Sequence, residues 1–291
     1  MPSRTAFLFP GQGRTLEALP SNIGSFSHLL DLTRDAGLQL TEWIESGQTA
    51  RLTETNAAQP ALLLDSLSRE RLLREAGWKP DCVAGHSLGE YAALVSAGVL
   101  APPDAMRAVI ERGRLMNQVR GTMAAILKLD IETVSQLCAD SEAVVANHNA
   151  ITQIIISGPN DAVIDVMQRA KSLGARAIPL SVSGPFHSPL MKPAQDSLLH
   201  FLQALDFSRP AHRVISGVSG RVETDPEVLR ELLCRQITAI VRWVDVSHQL
   251  ERLAVDTAIE IGSGDVLTRL GRRSDSSIRF LTFEEAMSEQ L

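Results

Sequence analysis

The sequence predicts an α/β protein in which a parallel sheet carries a smaller inserted unit. Apolar runs of strand length alternate with helical patterns in the first 120 residues, which is typical of a parallel sheet covered by helices. From residue 122 the order of predicted elements changes to strand, helix, strand, strand, helix, strand. The composition of the 291 residues, 44% hydrophobic and 21% charged, suits one large domain with a smaller one.

Local signals place the elements of the first part of the chain. Pro60 suits the first turn of a long helix, Gly77 suits its C-terminal cap, and Asp104 is a candidate N-cap for a later helix. The predicted elements are a strand at 5–9, helices at about 25–36, 39–46 and 60–77, a strand at 81–87, and helices at 88–98 and 105–119.

The segment from 122 to 183 predicts an inserted subdomain. Its βαββαβ order is that of a ferredoxin-like unit, with a turn expected at NHNAIT, residues 147–152. We therefore predict a large subdomain formed by residues 1–121 and 184–291, and a small subdomain formed by residues 122–183. The late strand candidates RVISGVS and TAIEIG are expected to rejoin the first sheet.

Charge and cysteine content exclude several classes of function. A net charge of −6 gives no basic field for nucleic acid or anionic lipid. Cys82, Cys138 and Cys234 show no CxxC spacing, so we expect buried thiols in a reducing compartment and no zinc site or disulfide framework. There is no signal-peptide core and no apolar run of about 18 residues, so a cytoplasmic location is expected.

The pentapeptide GHSLG, residues 85–89, is the first candidate for catalysis. It matches G-x-S-x-G, in which Ser87 occupies a tight turn between a strand and a helix, flanked by glycines because side chains there would collide. The backbone N–H of Leu88, at the start of the next helix, can bind an oxyanion. A serine N-cap is the simpler interpretation, but the predicted strand and helix on either side favour catalysis.

A serine hydroxyl needs a base near it to act as a nucleophile. His187 lies in the Gly/Pro loop SGPFHSPLM, where a side chain can project into a cleft. His86 adjoins Ser87 and is expected to point away from its hydroxyl. Composition and spacing do not select among the seven histidines, which are at positions 28, 86, 148, 187, 200, 212 and 248.

Five motifs together resemble the malonyl-CoA:acyl carrier protein transacylase family, which includes the acyltransferase domains of fatty acid and polyketide synthases. They occur in the family's order, from about residue 4 to about residue 271. The motifs are FPGQG (9–13), QPALL (59–63), GHSLGEYAALVSAG (85–98), ERGRLM (111–116) and FHSPLMKPA (186–194). The resemblance implies an α/β-hydrolase-like large subdomain with a ferredoxin-like insertion.

The resemblance also implies a role for each candidate residue. Ser87 resembles the nucleophile that carries the acyl group, and His187 resembles the general base that takes its proton. A main-chain carbonyl orients the histidine in this family, and by position that carbonyl belongs to Arg242. Gln12 resembles the second oxyanion donor, whose backbone N–H acts together with that of Leu88.

Substrate choice depends on Arg112 in this resemblance. Within the pattern R-G-x-x-M, the resemblance implies that Arg112 binds the free carboxylate of a malonyl group through a two-pronged ion pair. Without the surrounding motif, a solvated arginine on the helix surface is the simpler interpretation. Arg114 must face another direction on the helix. Phe186 resembles members that accept malonyl groups and crowd out a 2-methyl branch. The expected wall residues are Gln59, Asn147 and Asn149.

The implied reaction is ping-pong transfer of a malonyl group from malonyl-CoA to the phosphopantetheine thiol of an acyl carrier protein, with no metal or bound cofactor. Two alternatives stay open, namely hydrolysis of the same acyl-serine and a catalytically silent docking module. Hydrolytic relatives lack the arginine, and a silent module would be expected to lack Ser87, His187, Arg112 or Gln12. Fatty acid synthesis, polyketide assembly and malonate decarboxylation would all use this site, and a monomer is expected.

Two stretches depart from the family pattern. The chain reads RTLEALP after GQG, and the span from Gln12 to Gln59 is a few residues shorter than in the family. The resemblance therefore does not define the shape of one wall of the cleft or the way in which the acceptor docks. Residues 262–264 read Gly-Ser-Gly where the family usually has Gly-Pro-Gly. Candidates for a basic patch that faces an acidic carrier are Arg272, Arg273 and Lys192, although solvated surface charge is the simpler interpretation for each.

Overall fold

A computed structural model of the chain describes residues 3–13, 16, 20, 22–182, 184–274 and 276–289. Residues 14, 15 and 17–19, in the stretch that departs from the family pattern, lie outside the described residues. The strands are β1 (Thr5–Phe9), β2 (Cys82–Gly85), β3 (Thr122–Leu127), β4 (Val144–Ala150), β5 (Gln153–Gly158), β6 (Arg176–Pro179), β7 (Arg213–Ile215), β8 (Val222–Glu223), β9 (Thr257–Glu260) and β10 (Arg279–Thr282).

The helices surround two separate sheets. They are α1 (Ser27–Asp35), α2 (Leu40–Glu45), α3 (Thr55–Glu75), α4 (Gly89–Ser96), α5 (Pro102–Met116), α6 (Ile131–Ala139), α7 (Asn160–Ser172), α8 (Lys192–Gln203), α9 (Pro226–Arg235), α10 (Trp243–Arg252), α11 (Val266–Arg272) and α12 (Phe283–Ser288). Short 3-10 helices lie at Ile23–Phe26, Thr49–Thr53 and Pro189–Met191.

The large sheet has the strand order β10-β9-β1-β2-β7-β8. Its strands pair in parallel except for β8, which pairs antiparallel with β7. Strands β1, β2 and β9 are buried along their whole length, as expected when helices cover both faces of a parallel sheet. Both late strand candidates, RVISGVS and TAIEIG, contribute strands to this sheet, as predicted. The carboxyl ends of β1 and β2 lie side by side, with Phe9 opposite Gly85.

The small sheet is antiparallel, with the strand order β4-β5-β3-β6. Its side chains alternate between two faces, as the two-residue period of a strand requires. Ala124 and Ile126 pack into a core with helices α6 and α7, whereas Met123 and Ala125 belong to the main core beside the large sheet. Strand β4 is also joined to the chain before α10, because the N–H of His148 donates to the carbonyl of Val241. The small sheet therefore forms a wall over one end of the large sheet.

Three local predictions require correction. The long helix α3 begins at Thr55, so Pro60 lies inside it and not in its first turn. Helix α5 begins at Pro102, because proline is favoured in a first helical turn, and Asp104 lies within that turn. The turn between β4 and β5 comprises only residues 151–152, because irregular pairing lets β4 continue through its polar stretch.

All three cysteines are buried, as predicted, and their thiols are free in the structure. In the described part of the chain, no helix is both long enough and apolar enough to cross a membrane.

Candidate active site

Ser87 lies in the tight turn between β2 and α4. Its backbone φ is 52°, a left-handed conformation that is costly for residues with a side chain. Close packing holds the turn in place. A Cβ on Gly89 would lie 2.0 Å from the carbonyl oxygen of Phe9, and one on Gly85 would lie 2.1 Å from the backbone nitrogen of Glu90. The two flanking glycines are therefore required by backbone contacts, as the motif predicts.

His187 reaches Ser87 from a distant loop. Its Nε2 lies 2.9 Å from the Ser87 Oγ, and its Nδ1 lies 2.8 Å from the carbonyl oxygen of Gln236 and 3.1 Å from that of Ala239. A carbonyl oxygen only accepts, so the proton is assigned to Nδ1, which leaves Nε2 free to accept the serine hydroxyl. The φ of His187 is 59°, so both members of this pair have left-handed backbones.

The carbonyl that orients His187 is not that of Arg242, and this prediction was wrong. The Arg242 carbonyl accepts the N–H of Val246 within α10, at 3.0 Å. Gln236 follows the last residue of α9, and its carbonyl accepts a long bond of 3.3 Å from the Ala239 N–H as well as the shorter bond from His187 Nδ1. The sequence shows both residues in one segment, but only the fold determines where each helix ends.

Arg112 projects from α5 into the same cleft and is 1% exposed. Its Nη2 donates to the Ser87 Oγ and to the Gln236 Oε1, both at 3.1 Å, and its Nη1 donates to the Gln59 Oε1 at 2.7 Å. Its guanidinium lies 5.8 Å from the ring centre of Tyr91, a favourable cation–π position. The Arg112 Nε is buried and has no hydrogen-bond partner among the described residues.

Sequence reasoning missed two polar groups behind Arg112. The Gln236 amide donates from Nε2 to the Ser87 carbonyl at 2.9 Å and to the Glu90 Oε2 at 2.5 Å, while its Oε1 accepts from Arg112. Glu90 is buried, and Arg112 lies close enough to affect its charge. A signal for Glu90 existed, because a carboxylate within an otherwise apolar helix needs internal partners. No comparable local signal marks Gln236.

Burial shifts the pKa of each ionisable group in this cluster. It lowers the pKa of His187 to about 3, an effect that the charge of Arg112 reinforces and the hydrogen bond to Gln236 opposes. Burial raises the pKa of Glu90, against the hydrogen bonds from Gln236 and Ser216. Burial also lowers the pKa of Arg112, although guanidinium groups stay charged in proteins. His187 is therefore neutral, as a general base must be before it acts.

Ser87, His187 and Arg112 open onto a cavity of about 230 Å³ between the two sheets. Apart from Arg242, every predicted site residue lines it, including the oxyanion candidates. The lining residues named from the sequence are Gln12, Gln59, Ser87, Leu88, Arg112, Asn147, Asn149, Phe186 and His187. His86 also lines the cavity, but its Nε2 contacts the Asn149 Oδ1 at 2.8 Å. Arg114 pairs with Glu111 at the surface, as its position on the helix predicts.

The chemistry of this donor set is that of a nucleophile with its base. Ser87 and His187 form a hydrogen-bonded pair, backbone N–H groups lie at a helix start, and Arg112 supplies a buried positive charge. Within the described residues, no three His, Cys, Asp or Glu side chains are grouped so that they could hold a metal ion. The two-sheet α/β fold and this site together define the class of acyl-transferring enzymes.

Comparisons with known proteins also indicate an acyl-transferring enzyme. The family described as acyl transferase domain matches residues 30–284. Malonyl CoA-acyl carrier protein transacylase from Bacillus subtilis strain 168 is 38% identical over 304 residues, covering 99% of this chain and 96% of the relative. The Staphylococcus aureus strain MW2 protein of the same name is 33% identical and covers 97% and 96%.

Solved structures give the same result. FabD from Acinetobacter baumannii matches with a TM-score of 0.90 and 33% identity, covering 99% of this chain and 98% of that one. A malonyl-transacylase solved in complex with a type II polyketide synthase acyl carrier protein matches with a TM-score of 0.90 and 34% identity, covering 99% and 100%. The chain belongs to the malonyl-CoA:acyl carrier protein transacylases, a family of acyl transferase domains.

Proposed function

We propose that this chain transfers a malonyl group from malonyl-CoA to the phosphopantetheine thiol of an acyl carrier protein, through an ester on Ser87. One observation carries the proposal. The buried Arg112 donates to the Ser87 Oγ, which places a carboxylate-binding cation within reach of the nucleophile. The similar proteins named above are malonyl transacylases, and one of them was solved with a carrier protein.

In the first half-reaction, the Ser87 Oγ attacks the thioester carbonyl carbon while His187 Nε2 takes the hydroxyl proton. The negative charge on the carbonyl oxygen is stabilised by the backbone N–H groups of Leu88 and Gln12. When the tetrahedral intermediate collapses, the carbon–sulfur bond breaks, His187 returns the proton to the departing sulfur, and free CoA leaves a malonyl ester on Ser87.

The second half-reaction runs in the opposite direction with the carrier thiol. His187 takes the thiol proton, the sulfur attacks the ester carbonyl, and the Ser87 Oγ leaves with the proton returned to it. His187 therefore exchanges one proton in each half-reaction, and the protein is unchanged after both. The carbonyls of Gln236 and Ala239 hold the imidazole in a single tautomer throughout.

Arg112 has the polarity that a malonyl group requires. Its Nε has no hydrogen-bond partner among the residues that the structure describes, and its Nη2 makes contacts that a substrate carboxylate can replace. A bidentate contact with that carboxylate would hold the acyl carbonyl beside Ser87. Phe186 packs in the same cavity, where it would limit room for a 2-methyl branch. An acyl group without a carboxylate would leave the buried guanidinium uncompensated.

We also propose that the chain is divided into two subdomains. The small sheet places its four strands, counted along the chain, in the order 2-3-1-4, which supports a ferredoxin-like unit over residues 122–183. The serine turn at the carboxyl end of a parallel strand supports an α/β-hydrolase-like unit for residues 1–121 and 184–291. A cytoplasmic location and a monomeric state remain predictions.

Mass spectrometry of the intact protein tests the proposed function. Incubation with malonyl-CoA should add one malonyl group to the wild type and none to Ser87→Ala. Subsequent addition of a phosphopantetheinylated carrier should remove the adduct and yield malonyl-carrier. Rapid release of free malonate without carrier would support a hydrolase instead, and no adduct at all would support a silent docking module.

A further inference from the structure

A second and larger cavity adjoins the catalytic one. Its volume is about 550 Å³, and it shares Asn149 and Gln153 with the catalytic cavity. The turn between β4 and β5 forms one side, and helices α10 and α11 form the other. The two cavities are consecutive, because α11 lines the catalytic cavity with Leu267 and the outer cavity with Leu270. The outer cavity is therefore a route between Ser87 and solvent.

Three cations line this outer cavity, namely Lys128, Arg176 and Arg273. They come from three separate segments of the chain, and within the described residues none of them forms an ion pair. Neighbouring arginines differ, since Arg242, Arg269 and Arg272 each pair with a carboxylate: Asp245, Asp265 and Glu285 respectively. Among the described residues that line the cavity, Glu251 is the single carboxylate beside the three cations, so positive charge predominates.

Lys128 also has an unusual backbone. Its φ is 75°, and its N–H donates to the Thr152 carbonyl at 3.0 Å, beside the turn between β4 and β5. Only four described residues other than glycine have a positive φ, and two of them are Ser87 and His187. This conformation is costly for a lysine, which makes its side chain a candidate for a functional role.

The apolar part of the lining complements the charges. Ile151 is 70% exposed at the tip of the turn, and Val244 and Leu270 lie on the opposite side. The shared residues Asn149 and Gln153 offer amide groups between the apolar lining and the catalytic serine. A ligand that is anionic at one end, amide-bearing in the middle and reactive at the other end fits this sequence of surfaces.

We propose that Lys128, Arg176 and Arg273 bind the phosphate end of the phosphopantetheine chain, which malonyl-CoA and the acyl carrier protein have in common. This inference rests on the proposed function. Its dimensions agree, because Ala125 in the catalytic cavity and Leu127 in the outer cavity lie two residues apart on β3, about 7 Å along an extended strand, and Lys128 follows directly. The pantetheine chain is as long as about four extended residues, roughly 14 Å, so a thioester at Ser87 leaves the phosphate near this group of cations.

A cavity of about 390 Å³ also borders the catalytic cavity, with which it shares Gln12 and Gly13. The described residues that line it include no lysine or arginine. Charge complementarity therefore favours the outer cavity with the three cations for an anionic chain.

The test compares substrates with and without the phosphate. Malonyl-CoA, malonylated carrier and malonyl-N-acetylcysteamine carry the same thioester, but the last lacks any phosphate. The triple variant Lys128→Ala/Arg176→Ala/Arg273→Ala should raise KM about tenfold for both phosphate-bearing substrates. KM for malonyl-N-acetylcysteamine and kcat for all three should stay within about twofold. Lys171→Ala, which removes a positive charge from α7 outside this cavity, is the matched control.

Each other outcome would overturn the proposal. A rise in KM for the carrier alone would assign the cations to the carrier's protein surface, and a rise for malonyl-CoA alone would assign them to its nucleotide. An equal rise for malonyl-N-acetylcysteamine would show general damage to the site. The proposed function is tested separately, because wild-type loading of Ser87 from malonyl-N-acetylcysteamine does not depend on these cations.

Lys128→Gly separates binding from folding. Glycine adopts a positive φ without strain, so this variant should melt at a higher temperature than the wild type. Its KM for malonyl-CoA should nevertheless rise by about threefold, with the effect diminishing at high salt. An unchanged KM in the stabilised variant would show that the lysine side chain has no part in binding.

Discussion

The two ends of the proposed substrate route differ in burial, and this difference governs how each responds to change. At the inner end, Ser87, His187 and Arg112 are held by several partners each, and the last two are nearly inaccessible to solvent. At the outer end, Lys128 and Arg273 are exposed and have no ion pair in the described part of the chain. Charges interact strongly in the buried part and weakly in the solvated part.

This difference shows where atoms must be placed precisely. Acyl transfer requires atoms placed within a fraction of an ångström, and the inner end achieves this with backbone contacts that cannot relax. Binding a flexible anionic chain requires only a favourable electrostatic potential. Exposed cations supply this potential, and each of them contributes little to the binding free energy. The predictions below test the inner end in order of decreasing effect, and the triple cation variant described above tests the outer end.

The largest effect is expected for Gly89→Ala. The new Cβ would lie 2.0 Å from the Phe9 carbonyl oxygen and 2.5 Å from its carbonyl carbon, and both atoms belong to the central strand β1. We expect the free energy of unfolding to fall by more than about 4 kcal/mol, measured by urea denaturation. Gly24→Ala is the control, because its Cβ meets nothing within 4 Å, and it should change stability by less than about 0.5 kcal/mol. Similar urea midpoints for the two variants would contradict the requirement for glycine at position 89.

Arg112→Ala should come next, with an effect that depends on the acyl group. Loading of Ser87 with malonyl should slow by about 100- to 1,000-fold, because a buried charge-assisted contact is worth about 3–4 kcal/mol. Loading with acetyl should slow far less, since acetyl has no carboxylate. Rapid-quench measurement of both acyl-enzymes provides the comparison. Equal losses for the two groups would refute a carboxylate-binding role.

The pH dependence of stability should show a smaller effect of His187. Its pKa is about 3 in the folded chain and about 6.5 when unfolded, so the unfolded chain binds more protons between these values. The free energy of unfolding should therefore fall as pH decreases below about 6.5, by up to about 1.4 kcal/mol per pH unit from this group. Urea denaturation at pH 7 and pH 5 measures this slope, which should be smaller in His187→Gln. An identical slope in the variant would show that His187 is not the source.

Much of the inner end was predictable from local sequence. Close glycine spacing around Ser87 signals a turn with no room for side chains, and the structure shows the backbone contacts that require it. The resemblance added His187, Arg112 and Gln12, and all three line the cavity with Ser87. These residues are recognisable because each lies in a short motif whose chemistry is local.

The error over Arg242 has a physical cause. Which carbonyl reaches His187 depends on where α9 ends, because the Gln236 carbonyl at that end lies 2.8 Å from His187 Nδ1, whereas the Arg242 carbonyl lies at the start of α10 and accepts the Val246 N–H. Helix ends follow from packing as well as from local signals. Gln236 was missed because no local signal marks it, since its contact with Glu90 joins residues that are 146 positions apart.

The amino-acid sequence was enough to predict the alternation of strands and helices, the serine turn, and the residue types that acyl transfer needs. Those features depend on neighbours within a few positions, where backbone sterics and side-chain periodicity act directly. Tertiary structure alone decided which carbonyl orients the histidine, how the guanidinium is held, and that three cations from separate strands and helices line one cavity. Such arrangements depend on contacts between distant segments, which exist only once the two sheets have packed together.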